Sequence, residues 1–382
     1  MVVPLGTDGI GPGGVIHFLV SAAYAFSIDE YLSVDRPALA ARFRVLHYEA
    51  LPSLTQFPRG TYVLAGLDQL NAAQLALVTE LHARLAATDG VRMLNHPART
   101  LRRFDLLRTL HARGRNDFRA VRAGSSLAGL RYPVFLRGER SHNGAISPLL
   151  HSAREVERAI GLALVRGHPF DDLLVVEFCS TRCPDGLFRK YSAFIVGDRV
   201  QGRCLEHGAH WMLKFESARF TRPLVMEEHD YVFGNPHQRE LAEIFAIAGV
   251  RYGRIDYSVK DGRVETWEIN LNATIGRGFG PQGGVGPREL WPIRDETREC
   301  FFDRFKDAWE AVDRETDAGP PVAVTFRPET IEAASRPEPP RGRPLAWGQA
   351  MLRPFKRWLA PIAGPFLRMV GMATRLAQRS RG

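Results

Sequence analysis

The sequence contains little cysteine and no long uninterrupted apolar stretch. Its four cysteines are spread irregularly over 382 residues, too few for a disulfide framework, so we expect a reducing, cytoplasmic environment. No apolar run approaches the roughly 20 residues that a membrane-spanning helix needs. The first 14 residues lack a basic segment, and His17 interrupts the apolar stretch that follows, so we expect no signal peptide. These absences argue against a secreted disulfide-rich protein and against an integral membrane protein.

Most of the chain also lacks surplus positive charge. The net charge of +9 comes from residues 336–382, which hold ten Lys/Arg and one acid, and the residues before them hold 41 basic and 41 acidic side chains. Faces that bind nucleic acid carry clustered surplus Lys and Arg. A neutral body therefore predicts no nucleic-acid partner, and the length leaves room for two or three domains.

The C-terminal part has the composition of a linker followed by a basic tail. Residues 318–345 are rich in proline, which predicts a linker. Residues 346–382 combine Trp, Phe and Leu with Arg and Lys, and their prolines divide them into short amphipathic pieces. This composition suits an anionic membrane surface, so we predict peripheral binding at the inner face of the membrane. A disordered tail and a docking segment for a partner protein are the alternatives.

Residues 15–95 show the pattern of a small α/β domain. Strands are predicted near 15–20, 43–47, 61–66 and 91–94, with a helix over 71–87 that begins at Asn71 as N-cap. Strands that alternate with helices predict a parallel sheet. The glycines of the first 14 residues match the spacing of a dinucleotide-binding loop, but no clear strand precedes them, which favours a flexible leader.

Two polar side chains end apolar strands in the middle of the chain. The strand 133–137 ends on Arg137 and leads into the glycine-bearing loop 138–147, an arrangement that suits phosphate binding, although a solvated Arg is the more usual outcome. The apolar strand 171–178 carries Glu177 near its end. A buried carboxylate there either has a hydrogen-bond donor or faces a pocket.

Further elements follow from the same periodic patterns. Asn235 and Pro236 are predicted as the N-cap and first residue of a helix that ends near Ala248. The other predicted elements are helices over 100–113, 152–167 and 294–315 and strands near 118–121, 187–196 and 199–206.

The most informative stretch is 251–272, which predicts a β-hairpin with a turn at Asp261-Gly262. Alternation along the second strand puts Glu268 and Asn270 on one face, and antiparallel pairing brings Asp256 towards them. Two carboxylates and an amide oxygen are ligands that Mg²⁺ takes when it also holds substrate phosphates. The alternative is an ordinary solvated hairpin face.

These motifs together resemble the ATP-grasp superfamily, in particular its carboxylate–amine ligases such as glutathione synthetase and D-alanine–D-alanine ligase. The resemblance covers about residues 91–280 and is most specific at RIDYSVKDGRVETWEIN, with further likeness at VVEF and FRKYSAFIVGDRV. It implies an ATP-grasp fold, two α+β subdomains that grip ATP, preceded by a small α/β N-terminal domain. The implied parts are an N-terminal domain (1–95), a small subdomain (96–170), a C-terminal subdomain with the Mg/ATP site (171–317), the linker (318–345) and the tail (346–382).

The resemblance also implies roles for individual residues. Asp256, Glu268 and Asn270 would hold Mg²⁺, and Glu177 with Phe178 would lie at the adenine. The other implied residues are Arg103 and Arg137, which stand where the family has phosphate-binding Lys, Lys190 at the nucleotide, and Arg189 and Lys214 as catalytic residues at the acyl phosphate. The Arg-for-Lys departures matter because the two side chains bind phosphate differently.

The reaction implied is an ATP- and Mg²⁺-dependent ligation. A carboxylate attacks the γ-phosphorus of ATP, and an amine then displaces phosphate from the acyl phosphate, which a covering loop at 138–147 or 273–286 would protect from water. The alternatives are an ATP-binding module that has lost ligase chemistry and docks to a membrane or partner, and an ATP-grasp phosphotransferase. The sequence leaves the acid, the amine and the oligomeric state open.

Overall fold

The computed structural model describes residues 15–141, 144–213, 217–275, 286–313 and 319–336. Within these ranges the chain forms strands and helices in an alternating order that groups into three larger sheets and one two-stranded sheet. In chain order the elements are β1 Ile16–Val20, α1 Phe26–Glu30, β2 Phe43–His47, β3 Gln56–Phe57, β4 Gly60–Leu64, α2 Ala72–Ala86, β5 Val91–Leu94, α3 Arg103–Ala112, β6 Ala120–Arg122, β7 Val134–Gly138, α4 Ala153–Val165, β8 Leu173–Glu177, β9 Phe188–Val196, β10 Arg199–Gly208, α5 Arg222–Gly234, α6 Gln238–Ala248, β11 Tyr252–Lys260, β12 Arg263–Asn270, α7 Trp291–Val312, β13 Val322–Ala323 and α8 Pro328–Ser335.

The N-terminal sheet is parallel, with the strand order β2-β1-β4-β5. Its strands agree with the predicted ones to within two residues. The helix α2 begins as expected, because Asn71 accepts a hydrogen bond from the backbone of Gln74 at 2.8 Å while the Gln74 side chain accepts one from the backbone of Asn71 at 3.1 Å. The mixed α/β class is therefore confirmed.

A three-stranded antiparallel sheet of order β6-β8-β7 forms the next part of the chain. The helix α4 packs on β7, and its N-cap Ser152 accepts from the backbone of Glu155. The predicted subdomain boundary at 170 would divide this sheet, because β8 lies after the boundary and pairs with both β6 and β7. The sheet therefore continues to Glu177.

The third sheet is antiparallel, with the order β10-β9-β11-β12. The predicted hairpin is confirmed: β11 and β12 pair around Asp261 and Gly262, whose φ angles are 51° and 74°. The helix α5 was not predicted, and Asn235 is its left-handed C-cap rather than an N-cap. The following helix α6 begins after His237 instead.

The N-terminal sheet and the third sheet share one apolar core. Trp309 of α7 is fully buried, and its ring lies 5.2 Å from Phe43 and 5.4 Å from Tyr252 between ring centroids. Phe43 belongs to β2 and Tyr252 to β11, so α7 joins the two sheets. The three-stranded sheet has a separate core with α4.

The segment 319–336 is not the predicted linker. The strand β13 pairs with β3, and α8 packs on α2, where Arg327 and Thr330 donate to Glu80 at 2.8 and 2.6 Å. Strand pairing and helix packing with residues far away in the sequence thus determine the structure of this segment more than its proline content does. Residues 1–14, 337–345 and the tail 346–382 lie outside the described residues. Among the helices of the described ranges, none has the length and apolar character to cross a membrane.

Candidate functional site

A cavity of about 680 Å³ lies between the three-stranded sheet and the third sheet. The strands β7, β9, β10, β11 and β12 and the helices α5 and α7 contribute its walls. Its size is within the range of small-molecule sites. The cavity therefore defines where the two sheets can hold a ligand.

One end of the cavity is aromatic. Trp211, which follows β10, lies 5.0 Å from Phe135 and 5.6 Å from Phe178 between ring centroids, so it reaches from the third sheet to the three-stranded one. Trp267 of β12 lines the same cavity and stacks on Phe118 at 4.8 Å. Flat apolar walls of this kind suit a planar heterocycle.

Two carboxylates lie together in the polar part of the cavity. Asp256 and Glu268 are directly opposite each other in the β11–β12 pair and are only 5% and 7% exposed. A bulge follows Asp256, so that Trp267 is the extra residue on β12. Asn270 lies two residues further along, where its Oδ1 accepts from the backbone of Asn272 at 2.9 Å.

Arginines pair with both carboxylates. Arg254 donates to both oxygens of Asp256, at 2.8 and 3.1 Å, and Arg137 donates to Glu268 at 2.5 Å. Arg103 also donates to Glu268. The same Arg103 guanidinium donates to the carbonyls of residues 138, 139 and 141 and so ties the loop after β7 to the carboxylate.

The side-chain oxygens of the hairpin suit Mg²⁺, which also takes substrate phosphates as ligands, better than a metal ion that protein side chains alone coordinate. Among the described residues, His, Cys, Asp and Glu side chains form no group of three or more that could hold a metal ion. Asp256, Glu268 and the Asn270 amide supply hard oxygen donors on one hairpin, and Mg²⁺ typically takes one or two carboxylates together with substrate phosphates. Asp256 and Glu268 line the cavity, whereas its described lining does not include Asn270, so a Mg²⁺ ion held by all three residues stays a prediction.

Two predicted cationic residues of β9 line the cavity. Lys190 lies 2.7 Å from Glu206, while Arg189 lies 2.6 Å from Glu227 and 2.8 Å from Asp185. Burial alone would lower the pKa of Lys190, but Glu206 and Asp256 outweigh it and raise the pKa. The Lys190 ammonium therefore stays charged at neutral pH. Lys214 lies outside the described residues.

Glu177 has a different environment from the one expected at an adenine. It is 1% exposed and accepts from the backbone and side chains of both Arg119 and Arg131 at 2.8–3.4 Å. The described lining of the cavity includes its neighbour Phe178 but not Glu177. The buried carboxylate is therefore satisfied by donors, and a contact of Glu177 with adenine stays a prediction.

Sequence reasoning missed several residues of the cavity. Arg254 stands two positions before Asp256, so alternation along the strand could have placed both on one face. Trp211 lies in the segment after β10, and no local sequence pattern indicates that its ring contacts Phe135 and Phe178. Arg203 and Arg294 lie on separate elements that only the tertiary fold brings to one cavity.

Comparisons with known proteins concern the fold. The sequence matches no protein-family model and no curated protein. Similar solved structures include the D-alanine–D-alanine ligase from Bacillus anthracis complexed with ATP, with 12% identity, a TM-score of 0.41 and coverage of 77% of this chain and 99% of that one. The D-alanine–D-alanine ligase from Coxiella burnetii has 13% identity, a TM-score of 0.45 and coverage of 79% and 97%. The ATP-grasp ligase PsnB complexed with minimal precursor has 15% identity, a TM-score of 0.42 and coverage of 75% and 99%.

At such identities and TM-scores, a likeness gives no information on activity. The architecture is therefore described from the sheets of this chain. A three-stranded sheet and a four-stranded antiparallel sheet face each other across a cavity, and a parallel sheet precedes them. The mixed α/β fold class is therefore confirmed, with two facing sheets and a preceding parallel sheet.

Proposed function

We propose that the cavity binds ATP with Mg²⁺ and that the protein is a ligase, which activates a carboxylate as an acyl phosphate and joins it to an amine. The observation that carries the proposal is the cross-strand pair Asp256 and Glu268, which lies in a cavity with an aromatic end. The cavity thus has an aromatic part and a charged part, and a nucleotide likewise has a planar base and a charged phosphate chain.

The nucleotide would lie with its base between the two sheets. Phe135, Phe178 and Trp211 offer apolar surface to the base. The phosphates would then lie near Arg137 and Lys190, which line the charged part. Mg²⁺, when bound, would neutralise phosphate charge beside the hairpin carboxylates.

Phosphoryl transfer of this kind needs positioned charge more than a covalent nucleophile. Arg137, Arg189 and Lys190 would orient the γ-phosphoryl group and stabilise the charge that develops on it. Lys214 is proposed to act at the acyl phosphate as well. A covering loop at 138–147 or 273–286 would exclude water from that intermediate; residues 142–143 and 276–285 lie outside the described residues.

Calorimetry tests the nucleotide site. Mg-ATP is titrated into the wild type, with and without Mg²⁺, and into Glu268→Gln, which should weaken Mg-ATP binding about tenfold or more because a charged ligand oxygen is lost. Asp261→Asn is the matched control, since Asp261 is exposed at the turn of the same hairpin and Asn tolerates its φ of 51°. Equal Mg-ATP affinity in Glu268→Gln and the wild type would contradict the site.

Product analysis then tests the reaction. Release of both ADP and phosphate on addition of acids and amines supports a ligase, and a stable phosphorylated product supports a phosphotransferase. Nucleotide binding without turnover supports a binding module that has lost ligase chemistry. The pairing of Arg103 and Arg137 with Glu268 favours that last alternative, because the guanidinium groups compete with a metal for the carboxylate.

A further inference from the structure

We propose that Arg137 determines the order in which the cavity binds its ligands. Before nucleotide binds, Arg137 holds Glu268, and it releases this carboxylate to a metal ion only when a phosphate group replaces the carboxylate as its acceptor. This inference rests on the proposed function and adds to it the requirement that nucleotide binds before Mg²⁺.

Arg137 lies between the aromatic and the charged parts of the cavity. It stands two residues after Phe135 on β7, so both side chains are on the same face of the strand, about 7 Å apart along it. Phe135 contacts Trp211 at the aromatic end, and Arg137 contacts Glu268 of the hairpin. A base against Phe135 would therefore bring its phosphate chain towards Arg137.

The two arginines that share Glu268 are held in different ways. Arg103 and Arg137 both donate to Oε2 of Glu268, Arg137 at 2.5 Å. Arg103 is also fixed by the carbonyls of residues 138, 139 and 141, and the described lining of the cavity does not include it. Arg137 lines the cavity, and Glu268 is the acceptor of its side chain among the described residues. Arg137 is therefore the partner that can leave, while Arg103 keeps the carboxylate in place.

The Arg137 guanidinium has hydrogen-bonding capacity that Glu268 does not use. Its side chain is only 12% exposed, and its Nε is buried without an acceptor in the part of the chain that the structure describes. A buried N–H without an acceptor is unfavourable. A phosphate group can accept from two nitrogens of one guanidinium at the same time. Phosphate therefore offers Arg137 more hydrogen bonds than it has with Glu268.

The charge around the hairpin carboxylates favours an anion as the first ligand. Arg254 donates to both oxygens of Asp256. Arg103 and Arg137 donate to Glu268, so at least three guanidinium groups of the described residues bind two carboxylates. Burial lowers the pKa of Arg137 and Arg103 lowers it further, while Glu268 and Asp256 oppose them. A metal dication would add to this positive charge, whereas a phosphate chain compensates it.

A permanent ion pair is the alternative, in which Arg137 keeps Glu268 whether or not nucleotide is bound. Such a pair would leave the Nε of Arg137 without an acceptor and would close Glu268 to a metal ion under all conditions. Exchange instead closes Glu268 only until phosphate arrives. The two cases therefore differ in when a metal ion depends on Glu268.

Titrations with one ligand at a time test the order in the full chain. A non-hydrolysable ATP analogue is titrated in EDTA and then in Mg²⁺, followed by the fluorescence of Trp211 and Trp267, which line the cavity. Mn²⁺ is titrated without nucleotide and followed by the paramagnetic resonance of the free ion. The wild type should bind the analogue in EDTA, and Glu268→Gln should leave its affinity for Mn²⁺ alone unchanged within about twofold. The gain in analogue affinity that Mg²⁺ produces should fall about tenfold or more in Glu268→Gln.

Replacement of Arg137 should shift two affinities in opposite directions. In Arg137→Gln, Mn²⁺ alone should bind about 10- to 100-fold more tightly than in the wild type, and the analogue in EDTA should bind more weakly by a similar factor, the range for one charged hydrogen bond. The gain should disappear in the double variant Arg137→Gln/Glu268→Gln. Arg115→Gln is the matched control, because Arg115 pairs with Glu243 at 2.6 Å outside the described lining of the cavity. It should change neither affinity more than about twofold.

Three results would overturn the inference. The first is binding of Mn²⁺ alone by the wild type that Glu268→Gln weakens about tenfold, a comparison that remains decisive if Arg137→Gln fails to fold. The second is an unchanged affinity of Arg137→Gln for Mn²⁺ alone or for the analogue in EDTA. The third is analogue binding that appears only with Mg²⁺. Absence of analogue binding by the wild type both in EDTA and in Mg²⁺ would instead remove the proposed function itself.

Discussion

Replacement of Glu177 by Gln tests whether this residue serves the fold or the nucleotide. The carboxylate receives hydrogen bonds from the backbones and guanidinium groups of Arg119 and Arg131. The side chains of Arg119 and Arg131 are 35% and 58% exposed, so water would replace part of the hydrogen bonds that they lose in the variant. A net charged hydrogen bond contributes about 1.5–3 kcal/mol. We therefore expect Glu177→Gln to lower the free energy of unfolding by about 2–4 kcal/mol.

The assay is urea unfolding followed by tryptophan fluorescence, together with calorimetric titration of Mg-ATP. Glu243→Gln is the matched control, because Glu243 lies 2.6 Å from Arg115 in a pair with 43% and 38% exposed side chains and should cost less than about 1 kcal/mol. Mg-ATP affinity should change little in both variants. A large loss of affinity with unaltered stability in Glu177→Gln would refute the structural role and support the adenine contact.

The pH dependence has a defined sign. Burial alone would raise the pKa of Glu177, but hydrogen bonds from Arg131 and Arg119 outweigh it and hold the pKa below its ordinary value of 4.5. The contribution of Glu177 to stability is then fully present above that ordinary value and is lost as the pH falls through the lower folded-state pKa. The stability difference between the wild type and Glu177→Gln should narrow over this acidic range.

Three further predictions concern other parts of the chain. Trp211→Ala should weaken Mg-ATP binding about 3- to 10-fold, since aromatic pairs contribute about 0.5–1.5 kcal/mol; an unchanged dissociation constant in a fluorescence titration would contradict a base between the sheets. A chain that ends at residue 318 should melt several degrees below one that ends at Arg336, because it lacks the contacts of Arg327 and Thr330 with Glu80; equal melting temperatures would show that 319–336 is dispensable. The full chain should sediment with anionic vesicles in a salt-sensitive manner, and equal sedimentation of the chain that ends at Arg336 would exclude residues 337–382 as the cause.

The hairpin was predictable because its determinants are local. Asp261-Gly262 fixes the turn and the register beside it, and the unpredicted bulge at Trp267 then shifts that register by one residue, so that Asp256 lies opposite Glu268. The strands and helix of the N-terminal sheet likewise follow from short-range apolar spacing and one N-cap, Asn71. Local rules thus gave both the fold class and the centre of the candidate site.

The failures share a non-local origin. The donors to Glu177 lie 58 and 46 residues before it in the chain, so its sequence neighbourhood could not reveal them. The strand β13 is only two residues long and gains its structure from pairing with β3. Asn235 fits the preferences of either helix end, and the αL conformation that made it a C-cap depends on the preceding helix.

The shared core around Trp309 has a consequence for motion. Because α7 packs with both the N-terminal sheet and the third sheet, these parts form one body, whereas the three-stranded sheet has its own core. We therefore expect the three-stranded sheet to be the part that shifts when the cavity opens. Such a shift would have to break the ring contacts of Trp211 with Phe135 and Phe178 and the contact of Trp267 with Phe118.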